Sequence, residues 1–209
     1  MKKNKAETDD TIRKLIAVAR THFTEYGFAD AALETIVRDA QLTRGALYHH
    51  FGNKKGLFRI VLEAVQQEVA ERVEQEASGS EDVWEQLRLG CLAFVTAAVE
   101  PRNKRIMLID GPAVLGWEEW RSMDEIHSMR LLRGQLELMK REGYLKPVSI
   151  DAMTHFLSGA LNEIALWNAQ ASKDQSSMEE TTTVISLFLE GFKRRTAEQP
   201  KDASNESSR

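Results

Sequence analysis

Apolar residues recur at intervals of three and four along almost the whole chain, and nowhere do they alternate for long. With only four prolines and twelve glycines in 209 residues, the pattern predicts an all-α protein of about nine helices. The first carries Ile12, Leu15, Ile16, Ala19, Phe23 and Tyr26 on one stripe and is expected to stop at Gly27. A short second helix over 31–40 buries Leu33, Ile36, Val37 and Ala40, a third starts at Thr43, and a fourth runs over 54–77 into the loop-like SGSED. Further helices are expected over 83–99, 103–109, 117–141, 150–171 and 178–195, punctuated by Gly111-Pro112, Gly143 and Lys146-Pro147. Residues 197–209 have the composition of a disordered tail.

The third helix is unusual because its two sides differ in kind. Thr43 is placed to cap it, accepting from the amide of Gly45 or Ala46, and Leu42 with Leu47 occupies the two positions of a hydrophobic staple. At 100° per residue Ala46, Leu47, His50 and Phe51 fall on one side, which predicts packing for all four. The other side offers Arg44, Gly45, Tyr48 and His49, with no large aliphatic group. That inventory suits DNA. A guanidinium can pair with guanine O6 and N7, a bare glycine lets the backbone approach the groove floor, and the phenol and imidazole can reach phosphates. Lys54 and Lys55 open the next helix, where a backbone amide, the helix dipole and an ammonium can share one phosphate. Only Gln41-Leu42-Thr43 joins the second helix to the third, the short connection of a helix-turn-helix.

Charge sharpens this division. The chain is acidic overall at −4, yet residues 1–58 carry +3 and the remainder −7. The sign change assigns the anion-facing role to the first segment. Domain bounds of 1–53 for DNA binding and 54–196 for the rest follow, with 54–77 as the linking helix.

The stretch TRGALYHHF followed by NKKGLF, with Gly27-Phe28 upstream, resembles the tetracycline repressor (TetR) family of bacterial transcription regulators, close to its AcrR-like members, over roughly residues 11–58. The resemblance implies that Thr43, Arg44 and Gly45 approach bases while Tyr48, His49 and Lys54 hold phosphates. It also implies a ligand-binding and dimerising helical bundle for the remainder. The chain departs from the family pattern at Ala31 and Ala32, where Thr or Ser is frequent, leaving Asp30 as the candidate cap. It departs again at Gln41, which stands where the family has a turn glycine and must therefore either adopt a left-handed conformation at some cost or adjust the turn.

No motif of comparable specificity follows residue 58. The apolar stripes of the last two long helices, Met153, Leu157, Ala160, Leu161 and Ile164 on one and Val184, Leu187, Phe188, Gly191 and Phe192 on the other, are candidates for an intersubunit four-helix bundle, with intramolecular core as the alternative. Pocket candidates are Phe94, Met107, Trp117, Trp120, Met129, Met139, Phe156 and Trp167, with His127, Asn162 and Glu163 as polar anchors. Glu163 shares a face with Phe156 and Trp167 and needs a cation or a ligand there.

Enzyme chemistry finds no footing. There is no glycine-rich phosphate loop, no G-x-S-x-G and no HExxH, and the one D-x-x-H, Asp124 to His127, lacks the second copy a di-iron bundle requires. No metal or cofactor is expected. The single cysteine, Cys91, lies in the apolar run LGCLAFVTAAV, excludes an intramolecular disulfide and fits the cytoplasm. That run, the longest nearly apolar one, is too short to cross a bilayer. The expected function is a homodimeric repressor of a palindromic operator in double-stranded DNA, released by an apolar or aromatic small molecule. A ligand-independent regulator, an activator, and a helical sensor docking a protein through its first domain remain as alternatives.

Overall fold

The computed structural model describes residues 2–170 and 175–194, so the expected tail and the predicted helix ends at Ala171 and Arg195 lie outside the described residues. Ten α-helices are present among them: α1 (Lys2–Asp30), α2 (Leu33–Asp39), α3 (Arg44–Phe51), α4 (Lys54–Ala77), α5 (Val83–Val99), α6 (Gly111–Leu115), α7 (Trp117–Asp124), α8 (Arg130–Arg141), α9 (Ile150–Gln170) and α10 (Gln175–Glu190). Two π-helical segments interrupt the order, π1 (Arg105–Asp110) and π2 (Glu125–Met129). Extended pairing among the described residues is confined to one isolated bridge between Leu145 and Lys193.

In the N-terminal unit Leu15, Ala19 and Phe23 of α1 meet Ile36, Leu47 and Phe58, all buried. The rings of Phe23, Phe28 and Phe58 pack mutually, with centroids 5.1 to 6.1 Å apart. Complete burial of one such ring contributes about 1.5–3 kcal/mol. Tyr26 leaves the predicted stripe and is exposed, its ring against His22. Gly27 breaks α1 as expected, at φ 77 and ψ 172, but helix resumes for a further turn to Asp30. Ala32, not Asp30, is the N-cap of α2, and no side chain caps it. Gln41 does take the left-handed conformation at φ 59, and its side-chain oxygen accepts from Lys14 Nζ at 2.8 Å.

α4 is a single 24-residue helix, about 36 Å long at 1.5 Å per residue. It begins at the foot of α3 and runs along α5 of the C-terminal bundle, its buried residues ending at Ala70 and its last turn facing solvent. A second connection joins the two parts. Between α5 and π1 the chain turns back towards α1: Arg20 donates to Asn103 Oδ1 (2.7 Å) and pairs with Glu68 (2.6 Å), Arg105 donates to the Glu25 carbonyl (3.2 Å), and the Phe28 amide donates to Asp110 Oδ2 (2.8 Å).

The predicted helix over 117–141 is real in extent but is broken into α7, π2 and α8, with Asp124 buried at the joint. π1 has an identifiable cause. Pro112 would drive its ring into the carbonyl of Leu108 in a regular helix, and widening by one residue relieves that clash. The carbonyl of Met107 would then bond the amide of residue 112, which a proline lacks. Trp120 Nε1 donates to it instead, at 2.9 Å.

Candidate DNA interface and ligand cavity

α3 is held at both ends by its own sequence. Thr43 Oγ1 accepts the Ala46 amide at 3.2 Å, leaving its hydroxyl hydrogen free to face outward, and Gly52 ends the helix at φ 74. Asn53 then caps α4 by accepting the Gly56 amide at 2.8 Å. Gly56 is required there, because a Cβ would stand 2.0 Å from the Phe51 carbonyl oxygen. Leu47 is fully buried and Leu42 packs against the same core, so one side of α3 is anchored.

Opposite this anchor Thr43, Arg44, Gly45, Tyr48, His49 and Lys55 are all exposed. His50, predicted to pack, is exposed as well, because Leu47 and the half-buried Phe51 fill the space beneath the helix; its ring lies 5.0 Å from that of His49. Arg44 pairs with Glu34 of α2 at 2.9 Å, with both side chains largely in solvent. Such a pair stabilises by about 0–1 kcal/mol, less than the roughly 1–3 kcal/mol of a bidentate guanine contact, so it does not lock the guanidinium away. Lys54 departs from expectation. Its ammonium donates to the Ala29 carbonyl at 3.0 Å and lies 4.8 Å from the Phe28 ring centre, half-buried between α1 and α4. Burial lowers its pKa, and Asp30 and Glu34 only partly oppose this. Lys54 staples two helices here, and Lys55 is the lysine that projects.

The C-terminal bundle carries a solvent-open cavity of about 220 Å³ bounded by α4, α5, π2, α8 and α9. Its walls are mainly apolar, with Val73, Ala77, Leu87, Phe94, Met129, Leu132 and Leu161, and its polar points are Glu74, Gln86, Ser128, Gln135 and Ser158. Gln135 is oriented by donating to the Val83 carbonyl (3.0 Å) and to Gln86 Oε1 (3.1 Å). Cys91 also lines the space, and burial pushes its thiol up to about 12, so it is a neutral wall atom and not a nucleophile.

Of the pocket candidates, Phe94 and Met129 line this cavity, whereas Trp117, Trp120, Asn162 and Glu163 line a separate groove between α7 and α9. Met107 and Met139 are fully buried core residues that line neither, and His127, half-buried, also lines neither. Phe156 and Trp167 project outward, 56% and 46% exposed. The cavity residues missed from sequence come from α4 and α5 (Val73, Ala77, Leu87) and from π2, α8 and α9 (Ser128, Leu132, Gln135, Ser158), and no local pattern marks them.

The dimer candidates divide too. Met153, Leu157 and Leu161 are buried in the chain's own core, because α9 packs on α5 and α8 through that side, and are unavailable to a second copy. Ile164 and Phe192 are half-buried against the same core. Ala160, Val184, Leu187, Phe188 and Gly191 are exposed, and Phe156 stacks on Phe188 at 5.2 Å to form one outward apolar face.

A capped helix with one anchored and one open polar side, joined through a four-residue connection to its predecessor, defines a helix-turn-helix DNA-binding protein with a helical C-terminal domain. Residues 15–61 match the family described as bacterial regulatory proteins, tetR family, and residues 84–192 match the Tetracyclin repressor-like C-terminal domain. The chain therefore belongs to the TetR family, whose members are DNA-binding transcriptional regulators and not enzymes. A TetR-family regulator of known structure from Pectobacterium atrosepticum is 34% identical, with a TM-score of 0.77 over 90% of this chain and 96% of that one. The HTH-type transcriptional regulator SrpR of Pseudomonas putida is 27% identical over 205 residues, 96% of this chain and 92% of its own. The fatty acid degradation regulator FadR of Bacillus halodurans shares the fold at 16% identity, with a TM-score of 0.70 over 86% and 97% of the two chains. Among the described residues no helix is long and apolar enough to cross a membrane, and no cluster could hold a metal ion.

Proposed function

We propose that the protein is a cytoplasmic, homodimeric repressor that grips a palindromic operator through two copies of α3 and releases it when a small apolar or aromatic molecule enters the 220 Å³ cavity. The observation that carries this reading is the continuity of α4. The helix that Asn53 caps beside α3 is the same helix whose Val73 and Ala77 form a wall of the cavity. A ligand that wedges α4 away from α5 swings the far end of a rod about 36 Å long, and a tilt of about 5° moves that end by about 3 Å. Two recognition helices must sit one helical repeat apart, about 34–36 Å, so such a shift uncouples them from adjacent grooves. The ligand acts only through a preference for the uncoupled state.

An apolar space of this size suits a single substituted aromatic ring, since a cavity of about 150 Å³ accepts benzene. The face formed by Phe156, Trp167, Val184, Leu187 and Phe188 supplies the apolar patch a second copy would cover. Titrating fluorescent duplex from the protein's own promoter at rising salt tests the reading. A steep decline of affinity with salt and a further loss with Arg44→Ala are expected; salt-independent binding, or full affinity in Arg44→Ala, refutes it. A reporter on that promoter, with and without the gene, distinguishes repressor from activator.

A further inference from the structure

The groove between α7 and α9 is separate from the cavity and carries chemistry of its own, with a volume of about 520 Å³. Two indoles form one side. Trp120 is fixed: its Nε1 donates to the Met107 carbonyl that Pro112 leaves free, and it seats against Gly111, where a Cβ would come within 2.9 Å of its ring. Trp117 stands beside it, ring centres 5.1 Å apart, and is 64% exposed. Two carboxylates, Glu125 and Glu163, line the same groove, and neither pairs with a cation among the described residues. The one guanidinium present, Arg121, is already neutralised by buried Asp124 at 2.7 Å and donates to Ser158 Oγ at 2.8 Å. Asn162, also lining the groove, spends its amide hydrogens on Asp124 and on the Ser158 carbonyl, which leaves its buried Oδ1 without a donor.

We propose that this groove is a binding site for a protonated aryl-alkyl amine. The open face of Trp117 takes the cation and its aromatic body, and the exposed carboxylates of Glu125 and Glu163 supply the opposite charge and accept the ammonium N–H. An anionic ligand would meet like charge from the two carboxylates, and a neutral one would gain nothing from them. The site does not depend on the cavity's being an effector site. At 100° per residue Asn162 and Leu166 lie about a quarter turn or more from Phe156 and Trp167, whereas Glu163 lies on their side of α9, at the edge the groove shares with the outward face.

Calorimetric titration of the full chain at neutral pH with N,N-dimethylbenzylammonium, benzyltrimethylammonium and benzyl alcohol tests the assignment. The protonated amine is expected to bind most tightly, the quaternary ion about three- to tenfold less tightly for want of the N–H, and the alcohol weaker still. Trp117→Ala and Glu163→Gln, both at exposed positions, should each weaken the amine about three- to tenfold and leave the alcohol unchanged. Leu132→Trp, which fills the other cavity, should leave amine binding intact. Equal binding of alcohol and amine, indifference of the amine to both groove substitutions, or its loss in Leu132→Trp overturns the proposal.

Discussion

Replacing Gly45 with alanine separates DNA recognition from folding more cleanly than any other single change in the N-terminal unit. Gly45 is the second residue of α3, and a Cβ there would meet only Thr43 Oγ1, at 3.9 Å, an ordinary contact. Alanine in a helix is favoured over glycine by about 0.5–1 kcal/mol. For a chain of this length each kcal/mol shifts Tm by about 2–4 °C, so Gly45→Ala should melt about 1–4 °C higher than the parent. The added methyl would stand between the helix backbone and the groove floor. If it costs the Arg44 pair with guanine, about 1–3 kcal/mol per half-site is lost, or roughly 5- to 150-fold in affinity.

Gly56→Ala gives the contrasting signature. Its Cβ would press on the Phe51 carbonyl, a backbone atom that can retreat only if the junction of α3 and α4 moves. Overpacking of that kind costs about 1–3 kcal/mol, so Tm should fall together with operator affinity. Differential scanning calorimetry and fluorescence anisotropy on the promoter duplex read both quantities. Operator affinity unchanged in Gly45→Ala would mean that this side of α3 does not enter the groove, and a lowered Tm in that variant would mean that the side is not open.

Three further outcomes follow from the geometry. Lys55→Ala should reduce the slope of log affinity against log salt by about one without changing sequence preference, whereas Lys54→Ala should chiefly cost about 0.5–1.5 kcal/mol of stability by releasing the Ala29 carbonyl, as paired salt titrations and melts would record. Gln66, buried in the middle of α4 with neither side-chain polar atom bonded, should be improved upon by Gln66→Leu, raising Tm by about 2–4 °C per kcal/mol gained; a lower Tm would reveal a partner or ordered water at that amide. Leu187→Glu, at a position 69% exposed, should leave the helical circular dichroism signal intact while shifting light-scattering mass to that of one chain.

What was legible in the sequence was what depends on short-range pattern. The bounds of α4 and α5 and the Thr43 cap follow from periodicity and capping chemistry within a few residues, and the left-handed Gln41 was one of two outcomes implied by its standing at the family's turn glycine. His50 was misread because helical phase gives a direction and not a depth: Leu47 and Phe51 fill the space beneath α3 and the imidazole stays in solvent. Lys54 was misread because its Ala29 and Phe28 partners are set by the break at Gly27, a tertiary matter. Met107, Met139, Met153, Leu157 and Leu161 illustrate the commonest confusion. A large apolar side chain carries the same pattern whether it meets core, ligand or partner, and only packing separates these roles. The two π segments had one sequence signal between them, Pro112, whose effect appears five residues upstream as a free carbonyl.

The fold gives the DNA-binding unit two holds on the C-terminal bundle, and their difference bears on how a signal would travel. One is α4, hydrophobic and continuous, with Leu57, Phe58, Val61, Leu62, Val65 and Val69 buried along its length. The other is polar: Arg20 with Glu68 and Asn103, Arg105 with the Glu25 carbonyl, and Asp110 with the Phe28 amide, gathered around the end of α1. A well-packed helix moves as a rod, whereas hydrogen-bonded contacts at a surface can exchange partners at a cost of about 1 kcal/mol each. Movement of α4 relative to a stationary bundle must therefore be taken up at the polar hold, and Gly27 lies inside it with the one α1 backbone that departs from the helix. The Asp110 carboxylate that holds Phe28 belongs to π1, and Trp120 of the groove is bonded to the same segment through Met107. If both proposed sites are occupied by ligands, the cavity would act on the rod and the groove on the hinge, so their occupants would affect operator binding through different elements of one fold.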